Sequence, residues 1–265
     1  MDYRPVQGDV GEGGIYQVYY PEPAMRHVVE CFWQLTVTAG SYSYRSIPDN
    51  CVDWVTEIGT PDISLLVPPF KAPAFFALYG PAIYFGIRFQ PLGQHCLTGT
   101  PVGEWGCSTE GISAYDLLPA PLAYHINETL VAVNTFEQRC TALSSLLSRE
   151  ISDPLADRRF HQFVRQTLTL PSTDNHHDLA AASGISERQL RRLSHLYTGL
   201  SPKSLQRIFR FQQTLARMHR CNDPAAWSTY YYDQSHFIRE FRAFTGMTPL
   251  AFRRKSVLYN KDEHC

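Results

Sequence analysis

The spacings that build metal sites and disulfide frameworks are missing from this chain. Its seven cysteines, Cys31, Cys51, Cys96, Cys107, Cys140, Cys221 and Cys265, are odd in number and scattered, with no CxxC pair. That argues against a zinc site or a disulfide framework and fits reduced thiols in a cytosol. His27, His95 and His125 stand alone rather than in an HxH pair, so no metal ligand set is assigned. No P-loop or dinucleotide fingerprint occurs: the Gly-rich GDVGEGG neither follows a strand nor opens a helix, and no cofactor is expected. Cys96 beside His95 is the nearest approach to a nucleophile pair. Neighbours on a strand point to opposite faces and no orienting acid is evident, so no catalytic residue is assigned and an enzyme is not expected.

Long apolar runs are also absent. The start, MDYRPVQGDVGEGG, has no apolar core for a signal peptide. The best apolar stretch, Ile63 to Leu78, is interrupted by Pro68, Pro69, Lys71 and Pro73, so no membrane span is expected and a cytoplasmic protein is. Charge is modest at 18% against 44% hydrophobic residues over 265 positions, which suits a globular core and two modest domains. The net charge of −1 conceals a segregation. From Thr173 onward stand 14 basic against 8 acidic residues, leaving 10 basic against 17 acidic before it. A basic last third on an acidic body places the meeting with a polyanion in that last third.

What the chain does have there is a repeat. SERQLRRLSHLYTGLSP, Ser186 to Pro202, matches DQSHFIREFRAFTGMTP, Asp233 to Pro249, at a constant offset of 47 residues. Capping residues Ser186 and Asp233 coincide, as do Leu190 with Phe237, Arg192 with Arg239 and Tyr197 with Phe244. Leu193 against Glu240 and Ser194 against Phe241 do not match. Both copies close on Thr-Gly, which permits a left-handed helix end, and then on Ser-Pro or Thr-Pro, which opens a new helix. Ser186 with Gln189 has the pattern of a capping box. Between the copies, Ser201 to Arg220 carries a helical stripe of Leu205, Ile208, Phe209, Gln212, Leu215 and Met218. A rod of roughly 28 Å follows, close to the roughly 34 Å between successive major-groove faces of a duplex.

The stretch from about His177 to Lys255 resembles the DNA-binding domain of AraC-type transcriptional regulators. The motifs that carry the resemblance are LAAASGISERQLRRL, YTGLSP, DQSHFIREF and TGMTP. It implies a seven-helix domain with two helix–turn–helix units. Arg188, Gln189, Arg191 and Arg192 would read DNA in the first unit, and Gln234, Ser235, His236 and Arg239 in the second. The chemistry agrees: arginine bridges guanine O6 and N7, and Gln234 can pair with adenine. Lys203, Arg207 and Arg210 would contact phosphates. Arg192 and Arg239, at equivalent places in the repeat, could instead be held in structural salt bridges. Tyr230-Tyr231 stands where the family has Gly followed by an aromatic, so a strained turn is expected at Tyr230 if a positive φ is kept.

The front of the chain reads as short strands with turn chemistry between them: Val52 to Ile58, Ile63 to Val67, Phe75 to Tyr79 and Ile83 to Phe89. The first 20 or so residues read as a loose lead-in. PAMRHVVECFWQL, IPDNCVDWV, LYGP and GIRFQPLG resemble an uncharacterised amino-terminal domain carried by many AraC-type regulators, with Asn50 where that domain more often has Gly. The resemblance implies a sensing or partner-binding module. An aromatic pocket of Trp33, Trp54, Tyr84 and Phe89 with Arg88 as an anion anchor is the candidate ligand site. The simpler reading is that these residues are sheet core, with Arg88 paired to an acid such as Asp53.

The expected architecture is α+β: an antiparallel β-rich domain over residues 1–120, a helical connector over 121–172, and an all-α DNA-binding domain over 173–265, the boundary lying in Pro171 to Asp178. The expected function is a sequence-specific DNA-binding regulator, an activator, controlled through its front domain by a small molecule. The alternative is a front domain that serves only dimerisation or protein interaction. Double-stranded DNA is the expected partner, with a small-molecule effector, a homodimer partner and RNA polymerase as further candidates.

Overall fold

A computed structural model describes residues 3–7, 14–60, 62–98, 100–105, 111–151, 157–169, 176–221 and 223–255. Most of the expected domain boundary, Pro171 to Asn175, and most of the Gly-rich stretch lie outside the described residues. The front of the chain forms one six-stranded antiparallel sheet in the order β1-β2-β5-β3-β4-β6. The strands are β1 (Gly14–Tyr19), β2 (Val29–Ser46), β3 (Asp53–Glu57), β4 (Ser64–Val67), β5 (Ala74–Phe89) and β6 (Ile112–Ser113).

Two expectations change here. The lead-in is not loose: β1 pairs along β2, and Val6 and Gln7 are buried. The runs read as separate strands on either side of Gly80-Pro81 are one strand, β5, laddered to an equally continuous β2. That ribbon has to bend. Straight, β2 would span roughly 50 Å from Cys31 to Ser46. The chain from Ser46 back to Asp53 can reach only about 25 Å, yet Asp53 and Cys31 both pair with Arg88. The register shift between Val37 and Gly40, with Gly40 at φ 75°, supplies the bend. The curled ribbon brings Tyr42, Tyr44 and Leu78 onto Leu35, Val37, Tyr84, Tyr16 and Trp33.

The opposite face of the sheet is covered by helices. After the short α1 (Ala114–Leu117), α2 (Ala120–Ala132) and α3 (Phe136–Glu150) place Leu122, Ile126, Leu130, Phe136, Leu143 and Leu147 in one core with Phe32, Trp54, Phe85 and Phe89. Arg139 fastens α3 by donating to Gln34 Oε1 and to the Leu130 carbonyl, both at 3.0 Å. The remaining elements are α4 (Arg158–Thr169), α5 (His176–Ala182), α6 (Glu187–Thr198), α7 (Pro202–Arg220), α8 (Pro224–Trp227), α9 (Gln234–Thr245) and α10 (Pro249–Lys255). Phe160, Phe163 and Val164 of α4 belong to the second core, with Leu190, Phe209, Phe211, Trp227 and Phe241. The helices expected to form a separate connector therefore divide between two cores. Their amphipathic stripes record that they bury a face but not against which partner. From α4 onward stand the seven helices that the resemblance implies. Among the described residues no helix is long and apolar enough to cross a membrane.

The two halves share a packed seam centred on α7. Gln212, a polar member of the rod's apolar stripe, is buried; its Oε1 accepts from Val6 N–H at 2.7 Å. Its Nε2 donates to the carbonyls of Val6 at 3.1 Å and Pro48 at 2.8 Å. Asn50 sits at φ 64° and donates to the Leu205 carbonyl at 3.0 Å. Asparagine thus meets the left-handed conformation that glycine would serve and adds a bond across the seam.

Candidate nucleic-acid interface

The two repeated segments become α6 and α9, and each is built by its own ends. Ser186 accepts from Gln189 N–H at 3.3 Å, and Asp233 from His236 N–H at 2.6 Å. Each satisfies a backbone donor that the helix leaves open. Gly199 and Gly246 end the helices in the left-handed region at φ 68° and 72°, donating to the carbonyls of His195 and Arg242. Only the backbone half of the capping box forms in α6; among the described residues the Gln189 side chain makes no return bond. The rod between them, α7, is a 19-residue helix capped by Ser201 with Pro202 at its first turn.

On α6, Leu190 and Leu193 face the core while Arg188, Arg191 and Arg192 are exposed and Gln189 is half-buried. Arg191 meets Glu187 at 3.1 Å, an exposed pair one helical turn apart that holds it only loosely. On α9, Phe237, Phe241 and Phe244 are buried, and Gln234, Ser235 and Arg239 are exposed. Arg192 and Arg239 are both exposed, and among the described residues neither has an ion pair. His236 is half-buried, packed edge-on against Tyr231 with its Nε2 3.7 Å from Glu240.

Of the three expected phosphate contacts, Lys203 is exposed and Arg207 is 39% exposed. Arg210 is a correction. It is buried, donates through Nε and Nη2 to both oxygens of Glu240 at 2.9 to 3.3 Å, and lies over the Tyr231 ring. It holds α9 to the rod and does not reach the surface. The missed residue is Glu240. It occupies the repeat position of buried Leu193, and a buried carboxylate requires paired cations. That mismatch in the repeat was the available signal.

The strained turn expected at Tyr230 is also corrected. Among the described residues only Asn50 and Leu92 are non-glycine residues with positive φ. The turn instead closes through Tyr231 N–H to the Ser228 carbonyl at 2.9 Å, with Tyr231 buried beneath α9 and Arg217 over the Tyr230 ring.

In the front domain the five candidate pocket residues are not brought together. Successive residues of a strand face opposite ways, so Trp54 and Phe89 join the helix-side core while Trp33 and Tyr84 lie on the other face. Arg88 grips Asp53 through Nε and Nη2 at 3.1 Å each, with Asp49 at 3.8 Å, and Trp33 Nε1 donates to Asp53 at 2.9 Å. Its charge is therefore already matched. Gly86 leaves room for Trp33, whose ring would lie 1.9 Å from an added Cβ. Beside Arg88, a cavity of about 30 Å³ is lined by Pro5, Val6, Gln7, Tyr16, Glu30 and Cys31, among others. Burial pushes the Glu30 carboxyl up to about 7, with Arg88 pulling the other way. His95 and Cys96 lie in a short 3-10 helix rather than on a strand: His95 meets the Tyr197 carbonyl at 3.2 Å, and Cys96 packs in the front core.

Residues 179–255 match the family described as a helix-turn-helix domain, and the match spans both units and the rod between them. The last third of the chain is therefore an AraC-type helix-turn-helix domain. Residues 17–109 of the chain match a domain of unknown function (DUF6597), which covers most of the sheet. No curated protein matches the chain. Among solved structures it is similar to ToxT of Vibrio cholerae. The apo form of a point variant shares 12% identity at a TM-score of 0.43, covering 94% of this chain and 100% of that one. A second ToxT structure gives 10%, 0.44, 91% and 98% for the same quantities. ToxT bound to an unsaturated fatty acid gives 11%, 0.41, 94% and 98%.

Proposed function

We propose that the protein is a DNA-binding transcription regulator that reads two adjacent major grooves on one side of a duplex, with α6 and α9 as its reading helices. Arg188, Gln189, Arg191 and Arg192 meet bases in the first groove. Gln234, Ser235 and Arg239 do so in the second, with His236 at its edge. Lys203 and Arg207 contact phosphates. The observation that carries this reading is the pairing of two capped helices with exposed polar faces across one 19-residue rod. The test is a salt titration on a duplex of about two helical turns or more, enriched from a random pool by the wild-type chain. Affinity falls steeply with salt, and Arg191→Ala loses about 1–3 kcal/mol of discrimination at its base position. An unchanged sequence preference in that variant would remove Arg191 from the reading set.

We further propose that the front domain governs these helices through the seam, under control of a small molecule. Supporting this, Tyr3, Val6, Pro48 and Asn50 touch the rod, and Arg45 reaches the Thr245 carbonyl and Met247 at the end of α9. A second reading, a front domain that only binds protein partners, is supported by the matched charge of Arg88 and by the cavity beside it, which at about 30 Å³ suits a single water. A thermal-shift screen of small metabolites against the full chain, repeated in the presence of the enriched duplex, separates them. A compound that stabilises the chain and shifts its DNA affinity supports small-molecule control. Stabilisation by none, with self-association or partner capture altering DNA affinity, supports the second reading.

A further inference from the structure

Two arginines of the rod converge on one buried carboxylate of the second reading helix. Glu240 is satisfied on both oxygens by Arg210, which is itself buried. That pairing balances the charge, so Arg207 is a surplus cation. Its Nε donates to Glu240 Oε2 at 2.8 Å, and the ring of Phe244 lies 5.3 Å from its Cζ. Among the described residues its two Nη groups have no partner, and the side chain is 39% exposed. The guanidinium is therefore fixed in orientation on one side and open to solvent on the other. It shares Glu240 Oε2 with His236, whose Nε2 lies 3.7 Å from that oxygen, and phosphates line the groove on either side of a reading helix.

We propose that Glu240 is a positioning residue for DNA binding: it orients Arg207 so that the outer guanidinium nitrogens clamp a backbone phosphate beside the second reading helix. The inference rests on the assignment of Arg207 as a phosphate contact and adds the residue through which that contact is set. A planar guanidinium held by one edge presents its remaining N–H pair bidentately, which a flexible lysine such as Lys203 cannot do.

The test is a double-mutant cycle on DNA affinity, read with the full chain and the duplex enriched by wild type. Arg207→Ala is made in the wild-type background and in one where the buried pair is replaced by apolar residues, Glu240→Leu with Arg210→Met. Glu240→Gln, isosteric with the original, provides a second background should the double replacement not fold. Lys203→Ala serves as the control. In wild type, Arg207→Ala weakens binding about tenfold and lowers the slope of log affinity against log salt by about 0.9. In the apolar background the same substitution costs less than about twofold, and in Glu240→Gln, whose amide keeps one acceptor oxygen, it costs an intermediate amount, while Lys203→Ala costs the same in all backgrounds. Equal cost of Arg207→Ala in every background would overturn the positioning role, since a purely structural Glu240 gives additive effects. No loss of affinity or slope in Arg207→Ala would also overturn it. Absence of salt-dependent binding by the wild-type chain would instead overturn the DNA-reading assignment itself.

Discussion

The two helix–turn–helix units share caps, a left-handed glycine end and a buried face, yet they are held by different physics. The first turn, before α6, is closed by glycine geometry. Gly184 sits at φ 67°, with Ile185 N–H on the Ala180 carbonyl and Gly184 N–H on that of Ala181. This is the paired bonding that closes a helix end through a left-handed residue. At the core, Leu193 is packed apolar against the helices around it. The second turn has no left-handed residue and is closed by bulk, with Tyr231 buried; at the core, Glu240 replaces Leu193 and is bound to two arginines of the rod. The first unit also leans on the front domain, where Gly103 meets the backbone of α6, while the second leans mainly on the rod. The front domain thus meets α6 backbone to backbone, while its contact with α9 runs through the Arg45 side chain at the helix end.

The largest effect that separates the units should come from that core position. Glu240→Leu strands the buried Arg210 and should cost about 3–5 kcal/mol in urea unfolding. Adding Arg210→Met should recover most of it, because apolar replacement of a whole buried pair is often neutral or stabilising. A loss below about 1 kcal/mol in Glu240→Leu would mean that the second unit is packed like the first and that the ion pair is incidental.

A smaller effect tests the front-domain contact. An added Cβ at Gly103 would lie 2.2 Å from the His195 carbonyl oxygen and 3.1 Å from Leu196 Cα, both backbone atoms that cannot swing aside. Gly103→Ala should therefore cost about 1–3 kcal/mol. Its mark should be faster amide exchange in Glu187–Thr198 with little change in Gln234–Thr245. Equal acceleration in both helices would show that the seam holds the units together rather than the first alone.

Much of this was legible in the chain because it is local. Caps at Ser186 and Asp233, glycines at 199 and 246, and the rod's stripe are short-range signals, and each became the expected element. What was not legible depends on partners distant in sequence. Arg210 reads as a surface cation until Glu240, 30 residues on, is placed beside it. Arg88 reads as an anion anchor until Asp53, 35 residues back, is laddered opposite it. Strand alternation was visible, but splitting Trp33 and Tyr84 from Trp54 and Phe89 needed the pairing register. Gln212 did leave a trace, since a glutamine in an apolar stripe signals a buried polar bond, but the segment at Val6 that receives it is 206 residues away.

The smallest effects compare the two turns directly. At Gly184 nothing lies within 4 Å of an added Cβ, so Gly184→Ala meets only the backbone cost of a left-handed alanine, about 1–2 kcal/mol. Tyr230 carries no positive φ, so glycine there relieves no strain. Tyr230→Gly should lose the ring's contact with Arg217 and add unfolded-state freedom, destabilising by less than about 1 kcal/mol while leaving DNA affinity unchanged. Thermal unfolding and DNA titration of the two variants side by side decide the matter. Tighter binding or higher stability in Tyr230→Gly would restore a strained second turn and make the two units alike in needing glycine. Loss in Gly184→Ala alone would leave the first unit as the one closed by backbone conformation and the second as the one closed by side-chain bulk.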